Sequence, residues 1–93
     1  MKIETVEDVR QYIETYYDWV DEEGVYIYEN PDYAKAFRGI TTDGRALYEY
    51  GAMVESLMEE DNIEAIDAME FIDYNTLGAY INDRQPIVFY GFL

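Results

Sequence analysis

The chain has 93 residues, with twenty-one Asp and Glu against six Lys and Arg, no His, no Cys and a formal net charge of −15 at pH 7. A field of this sign repels phosphate backbones and anionic membrane surfaces and favours encounter with basic partners, so direct binding to nucleic acid or membrane is not expected. The missing imidazole and thiolate groups exclude His-dependent catalytic triads and metal sites built on His or Cys.

The remaining composition predicts a folded, non-enzymatic domain. Apolar residues make up 49% of the chain, with eleven Tyr and four Phe, which is typical of one globular domain over residues 1–93 and not of a disordered acidic tail. Paired carboxylates are the remaining route to catalysis, but a domain of this size leaves little interior for a cleft. We therefore predict no catalytic residue and no cofactor. The fragments TTDG and EEDN fall short of a calcium loop, so no metal site is predicted either.

Localisation is predicted from what the sequence lacks. The opening MKIETVEDVR has no apolar stretch like that of a signal peptide, and no uninterrupted apolar run approaches the ~18 residues that a membrane span needs. The absence of cysteine is compatible with a reducing compartment. We expect a cytoplasmic protein.

The first predicted element is an amphipathic helix over Thr5 to Glu22, with Thr5 and Asp8 as its N-terminal cap. Tyr17 and Trp19 fall on its other side and are candidates for partner contact, since aromatic residues are enriched at binding hot spots. The apolar residues at three- and four-residue spacing are Val9, Tyr12, Ile13, Tyr16 and Val20, of which Tyr12 and Tyr16 are predicted to lie in the core.

Strand signals follow the first helix. The β-branched and aromatic run VYIYEN predicts a strand from Val25 to Tyr28, ended by Asn30-Pro31-Asp32. A single helical turn is predicted between Asp32 and Phe37. Asp43-Gly44 lies between two short strand-forming runs, which indicates a hairpin with strands near 37–41 and 45–48.

Two helices and a last strand are predicted for the rest of the chain. Met53, Val54, Leu57 and Met58 form one helical face. Asp61 and Glu64 are expected to form a capping box for a second helix, which turns Ile66, Met69 and Ile72 inward. Thr76 is expected to cap a short final turn, and IVFYGF predicts the last strand. This order predicts a small α+β domain with a three- to four-stranded, mainly antiparallel sheet and helices packed on one face.

The most unusual stretch is ESLMEEDNIEAIDAMEFID, which carries eight carboxylates and no basic residue. These are Glu55, Glu59, Glu60, Asp61, Glu64, Asp67, Glu70 and Asp73. Like charges three or four residues apart on a helix cost about 0.2–0.5 kcal/mol per pair. The cost at Asp73 is expected to be unrelieved, because this residue lies at the helix end where the macrodipole prefers a cation.

Three explanations for this acidity remain open. It can serve solubility, it can imitate the spaced phosphates of a duplex and so occupy a DNA-binding protein, or it can bind some other basic protein. A single helix is too sparse for imitation, because three residues rise about 4.5 Å while duplex phosphates come about every 1.7 Å. A second acidic face is expected from the first helix, through Glu7, Glu14, Asp18, Asp21, Glu22 and Glu23. Glu14, Asp18 and Trp19 therefore join the eight carboxylates as predicted partner-binding residues.

Five segments of the chain carry a resemblance to a known group of proteins. They are GITTDGR at 39–45, YEY at 48–50, the Met-rich helix at 53–61, IDYNT at 72–76 and PIVFY at 86–90. In this pattern the chain resembles short acidic proteins of Firmicutes and their phages, although Leu77-Gly78 stands where that pattern has a basic residue. Its end is also similar to the C-terminal part of acidic antirestriction proteins, which are DNA mimics.

The resemblance implies a mobile-element setting, in which small acidic proteins inhibit host defence nucleases. The expected function is therefore a phage-type inhibitor, of the anti-CRISPR or antirestriction kind, that occupies a basic nucleic-acid channel as a DNA mimic. The alternative is a non-enzymatic interaction or regulatory protein whose acidic face serves solubility.

Overall fold

The computed structural model describes residues 2–17, 24–78 and 82–91. No helix in these three ranges is long and apolar enough to cross a membrane. In chain order the elements are α1 (Val6–Tyr16), a 3₁₀ turn (Ala34–Ala36), β1 (Phe37–Ile40), β2 (Ala46–Glu49), α2 (Tyr50–Asp61), α3 (Ala65–Phe71), a π-helical segment (Ile72–Leu77) and β3 (Ile87–Phe89).

Helix α1 begins at the predicted cap. The Thr5 hydroxyl accepts a hydrogen bond from the Asp8 N–H at 3.2 Å, and the Asp8 carboxylate accepts from the N–H groups of Glu4 and Thr5 at 3.0 Å each. These backbone donors lower the pKa of Asp8. The helix ends at Tyr16, and residues 18–23, which include Val20 and Trp19, lie outside the described ranges. The predicted extension to Glu22 falls on those residues.

The prediction that Tyr16 belongs to the core is wrong. Its side chain is 56% exposed because Tyr16 is the last residue of α1, and its ring contacts Tyr12 at 4.9 Å between centroids. Tyr12 is partly buried and packs edge-on against Phe37, as predicted for a core residue. Tyr17 is half-buried, with its ring 5.7 Å from that of Tyr12, so it does not point away from the core.

The sheet has the order β1-β2-β3 and is mixed. The hairpin is confirmed: β1 and β2 are antiparallel, with Phe37 opposite Tyr48, and the Gly44 N–H donates to the Thr41 carbonyl at 2.9 Å in the turn. Strand β3 pairs with β2 in parallel, because the chain reaches β3 only after a helical crossover. The predicted α+β class with three strands is confirmed. The sheet is mixed because only the hairpin pair is antiparallel.

The predicted strand over Val25 to Tyr28 is absent, and the segment forms neither helix nor strand. Among the described residues it has no backbone partner: the Tyr28 N–H donates instead to the Tyr48 hydroxyl at 3.2 Å. The predicted helical turn before β1 is confirmed as the 3₁₀ turn. Its N-cap, Tyr33, has a left-handed backbone with φ of +47°, a conformation that non-glycine residues rarely adopt.

The core consists of aromatic and aliphatic side chains from every layer. Tyr33, Tyr48, Met53, Leu57 and Ile72 are its largest fully buried residues, together with Val9 of α1. Both buried phenols have hydroxyl partners, as buried tyrosines usually do: Tyr48 accepts from the backbone of residue 28, and Tyr33 shares a 2.9 Å hydrogen bond with Thr76. Burial raises the pKa of both groups.

The boundary between α2 and α3 differs from the prediction. Helix α2 ends at Asp61, followed by Asn62 with φ of +52°, and α3 begins after Glu64 as its N-cap. Asp61 therefore caps no helix, and Glu64 makes no side-chain cap hydrogen bond. The residues expected to form a capping box instead belong to two different helices.

Helix α3 also presents a different face to the core. Ala68 and Ile72 are fully buried, whereas Ile66 is 60% exposed and Met69 is also exposed. Residues four apart share a face, and Ile66 lies two residues from Ala68, on the other side of the helix. Of the three residues predicted to point inward, only Ile72 does. Thr76 lies inside the π-helical segment, so it caps no turn among the described residues.

Candidate protein-binding surface

All eight carboxylates of the acidic stretch are exposed. Four lie on α2, at Glu55, Glu59, Glu60 and Asp61. The other four are Glu64 at the N-cap of α3, Asp67 and Glu70 within α3, and Asp73 in the π-helical segment that follows it. Glu60 and Glu64 are four residues apart but do not share a helix, so the cost expected for like charges at this spacing does not apply to them. Helices α2 and α3, with the segment that follows α3, therefore each carry half of these carboxylates.

The α2 row is partly neutralised by bases that are distant in sequence. Lys35 lies 3.5 Å from the Glu59 carboxylate, and Lys35 and Arg38 line a shallow hollow together with Glu55 and Glu59. An exposed pair of this kind contributes little stability. It does reduce the local charge, so Glu55 and Glu59 form the less negative end of the surface.

Negative charge is concentrated at the last two residues of α2, Glu60 and Asp61, which directly follow Glu59. Partial burial raises the pKa of Glu60, and the nearby carboxylates of Asp32 and Asp61 raise it further, while Lys35 has the opposite effect. Asp32 itself is fixed by accepting a hydrogen bond from the Ala34 N–H at 3.0 Å. The described residues contain no group of three or more Asp or Glu placed to hold a metal ion. This end is therefore a charged surface without a chelating arrangement.

The outer surface of α3, meaning the exposed side chains between Ala65 and Leu77, combines acid with large apolar groups. Asp67 and Glu70 lie among five exposed apolar residues, which are Ile66, Met69, Phe71, Tyr74 and Leu77. Tyr74 is the most exposed, at 86%. Single exposed apolar residues are normal, whereas several large ones within one short helical segment are more typical of a protein interface.

Two buried tyrosines, Tyr33 and Tyr50, hydrogen-bond to the segment that follows α3 and hold it in place. The Tyr50 hydroxyl donates to the Asp73 carboxylate at 2.8 Å, and Tyr33 binds Thr76 at 2.9 Å. Burial raises the pKa of Tyr50 to about 12, with a further contribution from Asp73. The predicted unrelieved cost at Asp73 is therefore wrong: Asp73 has a donor, and the helix continues beyond it to Leu77.

Of the three residues predicted from the first helix, only Glu14 belongs to the described ranges. Glu14 is exposed, but it lines a groove of about 940 Å³ between α1 and the segment Val25–Glu29. Asp18 and Trp19 lie outside the described residues. The surface supported by the structure therefore consists of α2 and α3 alone.

One carboxylate that sequence reasoning did not single out for a role is Glu49, the N-cap of α2. It is only 2% exposed, and it accepts hydrogen bonds from the N–H groups of Ala52 at 2.8 Å and Gly91 at 3.0 Å. Burial alone raises the pKa of this carboxyl, but the N–H donors of Gly91, Ala52 and Gly51 outweigh it and keep the pKa below its ordinary value. Its position directly before an apolar helical run was the available signal.

Comparison with protein-family models, with curated proteins and with solved structures finds no match for this chain. The resemblance in the GITTDGR and IDYNT segments therefore stays a prediction.

Proposed function

We propose that this protein inhibits a basic, nucleic-acid-binding protein by docking the outer surfaces of α2 and α3 onto it and displacing DNA or RNA. A host defence nuclease, of the CRISPR-effector or restriction type, is the partner class implied by the resemblance to short acidic phage proteins. The protein acts as a binding protein and not as an enzyme.

The observation that carries this proposal is the mixture of charge and apolar area on α3. If the acidity served solubility alone, the acidic helix would have no reason to expose Ile66, Met69, Phe71 and Tyr74 as well. Aromatic residues and Met are enriched in interfaces, and their exposure without a partner is unfavourable. The combination supports a surface that is covered by another protein.

The net negative charge of the protein favours a partner with a positively charged surface. With a net charge of −15, the protein associates fastest with a positively charged surface and is repelled by nucleic acid itself. Channels that hold a nucleic-acid backbone are the common surfaces of that kind, because they neutralise phosphates with Lys and Arg. The partner and DNA therefore compete for the same site, and binding weakens as salt is raised.

The test compares three variants in capture from bacterial lysate at increasing salt, with and without double-stranded DNA. The first variant reverses Glu64, Asp67 and Glu70 to Lys. Its control makes the same charge change outside α2, α3 and the groove beside α1, at the exposed residues Glu4, Asp43 and Asp83. The captured nuclease is then assayed for cleavage with each variant present.

The expected result is that the α3 reversal abolishes capture and inhibition, while the control retains both and DNA displaces the wild-type protein. Loss in both variants would show that overall charge, and not this surface, controls binding. Inhibition that survives the α3 reversal would exclude the surface.

A third, charge-neutral variant separates protein docking from simple phosphate imitation. Replacing Ile66, Met69 and Tyr74 by Ser leaves every carboxylate in place and removes exposed apolar area. We expect capture to weaken at least tenfold, because a buried aromatic or Met contact contributes more than 1 kcal/mol at an interface hot spot. Unchanged capture would show that the carboxylates act alone.

A further inference from the structure

The segment Val25–Glu29 has a sequence that favours a β-strand, but it does not form one. Its run VYIY is β-branched and aromatic, yet it forms no ladder with β1, β2 or β3. Local preference and final structure usually agree, and natural proteins depart from that agreement mainly at functional sites. Pairing with another strand would give this segment the conformation that its sequence favours.

The backbone of this segment is available for such a partner. Within the described residues, no backbone hydrogen bond engages Val25, Tyr26, Ile27 or Glu29, and only the Tyr28 N–H is occupied, by the Tyr48 hydroxyl. Tyr28 is held from the inside by ring contacts with Tyr33 and Tyr48 at 5.5 and 4.8 Å. Unpaired N–H and C=O groups along a fixed segment provide a template for strand addition.

The adjacent groove provides room and side-chain contacts for an incoming segment. Its volume of about 940 Å³ is in the range of sites that enclose a ligand or a few residues of peptide. Ile13 of α1 contributes an apolar wall opposite the partly buried Val25 and Ile27. The groove therefore offers an apolar interior next to a free backbone.

The charge of the groove specifies the occupant. Its rim carries Glu7, Glu14 and Glu29, and the single cation, Arg10, forms ion pairs with both Glu7 and Glu29. Glu14 has no ion pair within the described residues, so the rim keeps a net negative charge. A second copy of this acidic chain is disfavoured by repulsion, whereas a segment carrying Lys or Arg is attracted.

We propose that this groove binds an extended segment of a basic protein, in which apolar and cationic residues alternate and whose backbone pairs with Val25–Glu29 as an added strand. In this arrangement the apolar side chains face the Ile13 side of the groove and the cationic ones reach Glu14 on the rim. The site is separate from the α2 and α3 surface and does not depend on it.

The experiment uses the intact protein labelled with ¹⁵N and a capped synthetic peptide of alternating Val and Lys. We expect saturable amide shifts centred on Val25, Ile27 and Glu29, with slower amide hydrogen exchange there, at peptide concentrations of up to about 1 mM. The same peptide methylated on alternate backbone nitrogens keeps its charge and apolar groups but loses donors, so its binding should weaken strongly.

Two protein variants with the same charge change locate the site. Glu14→Lys is expected to weaken peptide binding about three- to tenfold, because it removes an attraction and adds a repulsion at the rim. Glu55→Lys lies on α2 and should change the affinity far less. A matching peptide of Val and Glu should not bind.

Four results would overturn the proposal. They are an absence of shifts at the highest peptide concentration, shifts centred on α3, unchanged binding of the methylated peptide, and exchange protection of the segment in the free protein that rises with protein concentration. The last would identify a second copy as the occupant. Loss of α3 binding in the reversal variant bears only on the nuclease proposal, so the two proposals fail independently.

Discussion

The buried underside of the α2 and α3 region and its outer surface use the same residue types for different purposes. On the underside, Ile72 fills the core and Glu49 binds two backbone N–H groups. On the outside, Ile66 and Glu55 are exposed, and neither side chain makes a hydrogen bond or ion pair among the described residues. In this region, residue type therefore does not show whether a side chain stabilises the fold or is exposed on the surface. Its position along the helix does.

The largest expected difference is between the two isoleucines. Ile72→Ala removes a fully buried side chain and should lower the free energy of unfolding by about 2–5 kcal/mol. Ile66→Ala, on the same helix, should change it by no more than about 0.5 kcal/mol because that side chain is mostly exposed. Urea denaturation measures both. A large loss for Ile66→Ala would mean that the outer surface is covered in the protein alone.

The two glutamates give the next largest contrast. Glu49→Gln keeps the size of the side chain but replaces one acceptor oxygen by an amide donor, so one of the two backbone N–H groups loses its partner. We expect a loss of about 1.5–3 kcal/mol. Glu55→Gln should be nearly neutral in the same denaturation experiment. Equal effects of the two substitutions would contradict a stabilising role for the hydrogen bonds by which Glu49 connects α2 to Gly91.

Lowering the pH should change the stability contributions of the buried Glu49 and the exposed Glu60 in opposite directions. The pKa of Glu49 is below its ordinary value of 4.5 in the folded protein, so its contribution is present above that pH and is lost as the pH falls through the folded pKa. The pKa of Glu60 is raised, so its ionisation opposes folding. The stability advantage of wild type over Glu49→Gln should shrink on acidification, whereas the stability gain from Glu60→Gln should fade.

The smallest effects compare Asp73 with Glu70. Asp73→Asn should cost about 1 kcal/mol, since the hydrogen bond from Tyr50 loses its charged acceptor. It should also lower the pKa of Tyr50 from about 12, although burial keeps that pKa above its ordinary value. Spectrophotometric tyrosine titration follows this change. Glu70→Gln should instead stabilise the protein by a few tenths of a kcal/mol at low salt, by removing like-charge neighbours.

The sequence predicted the elements that have strong local signals. The Thr5 cap, the Asp43-Gly44 hairpin and the α2 helix follow from side-chain capping, turn chemistry and apolar spacing, all of which act within a few residues. The α+β class followed from their order.

Signals that depend on distant residues were missed. The three-residue spacing of Ile66, Met69 and Ile72 spreads them around α3, and over so short a helix it does not show that Ala68 and Ile72 form the buried side. The Lys35 pair with Glu59 and the Tyr50 bond to Asp73 join residues more than twenty positions apart. The exposed carboxylates could be identified from sequence, but the neutralised and anchored ones could not.

The way α3 is held leaves its outward positions free to vary in sequence. Its attachment uses Ala68, Ile72 and the contacts of Tyr33 and Tyr50, none of which belongs to the outward side. The outward positions can therefore be exchanged with little cost in folding free energy. A library varied at residues 66, 67, 69, 70 and 74 would keep the scaffold and could be selected for new targets.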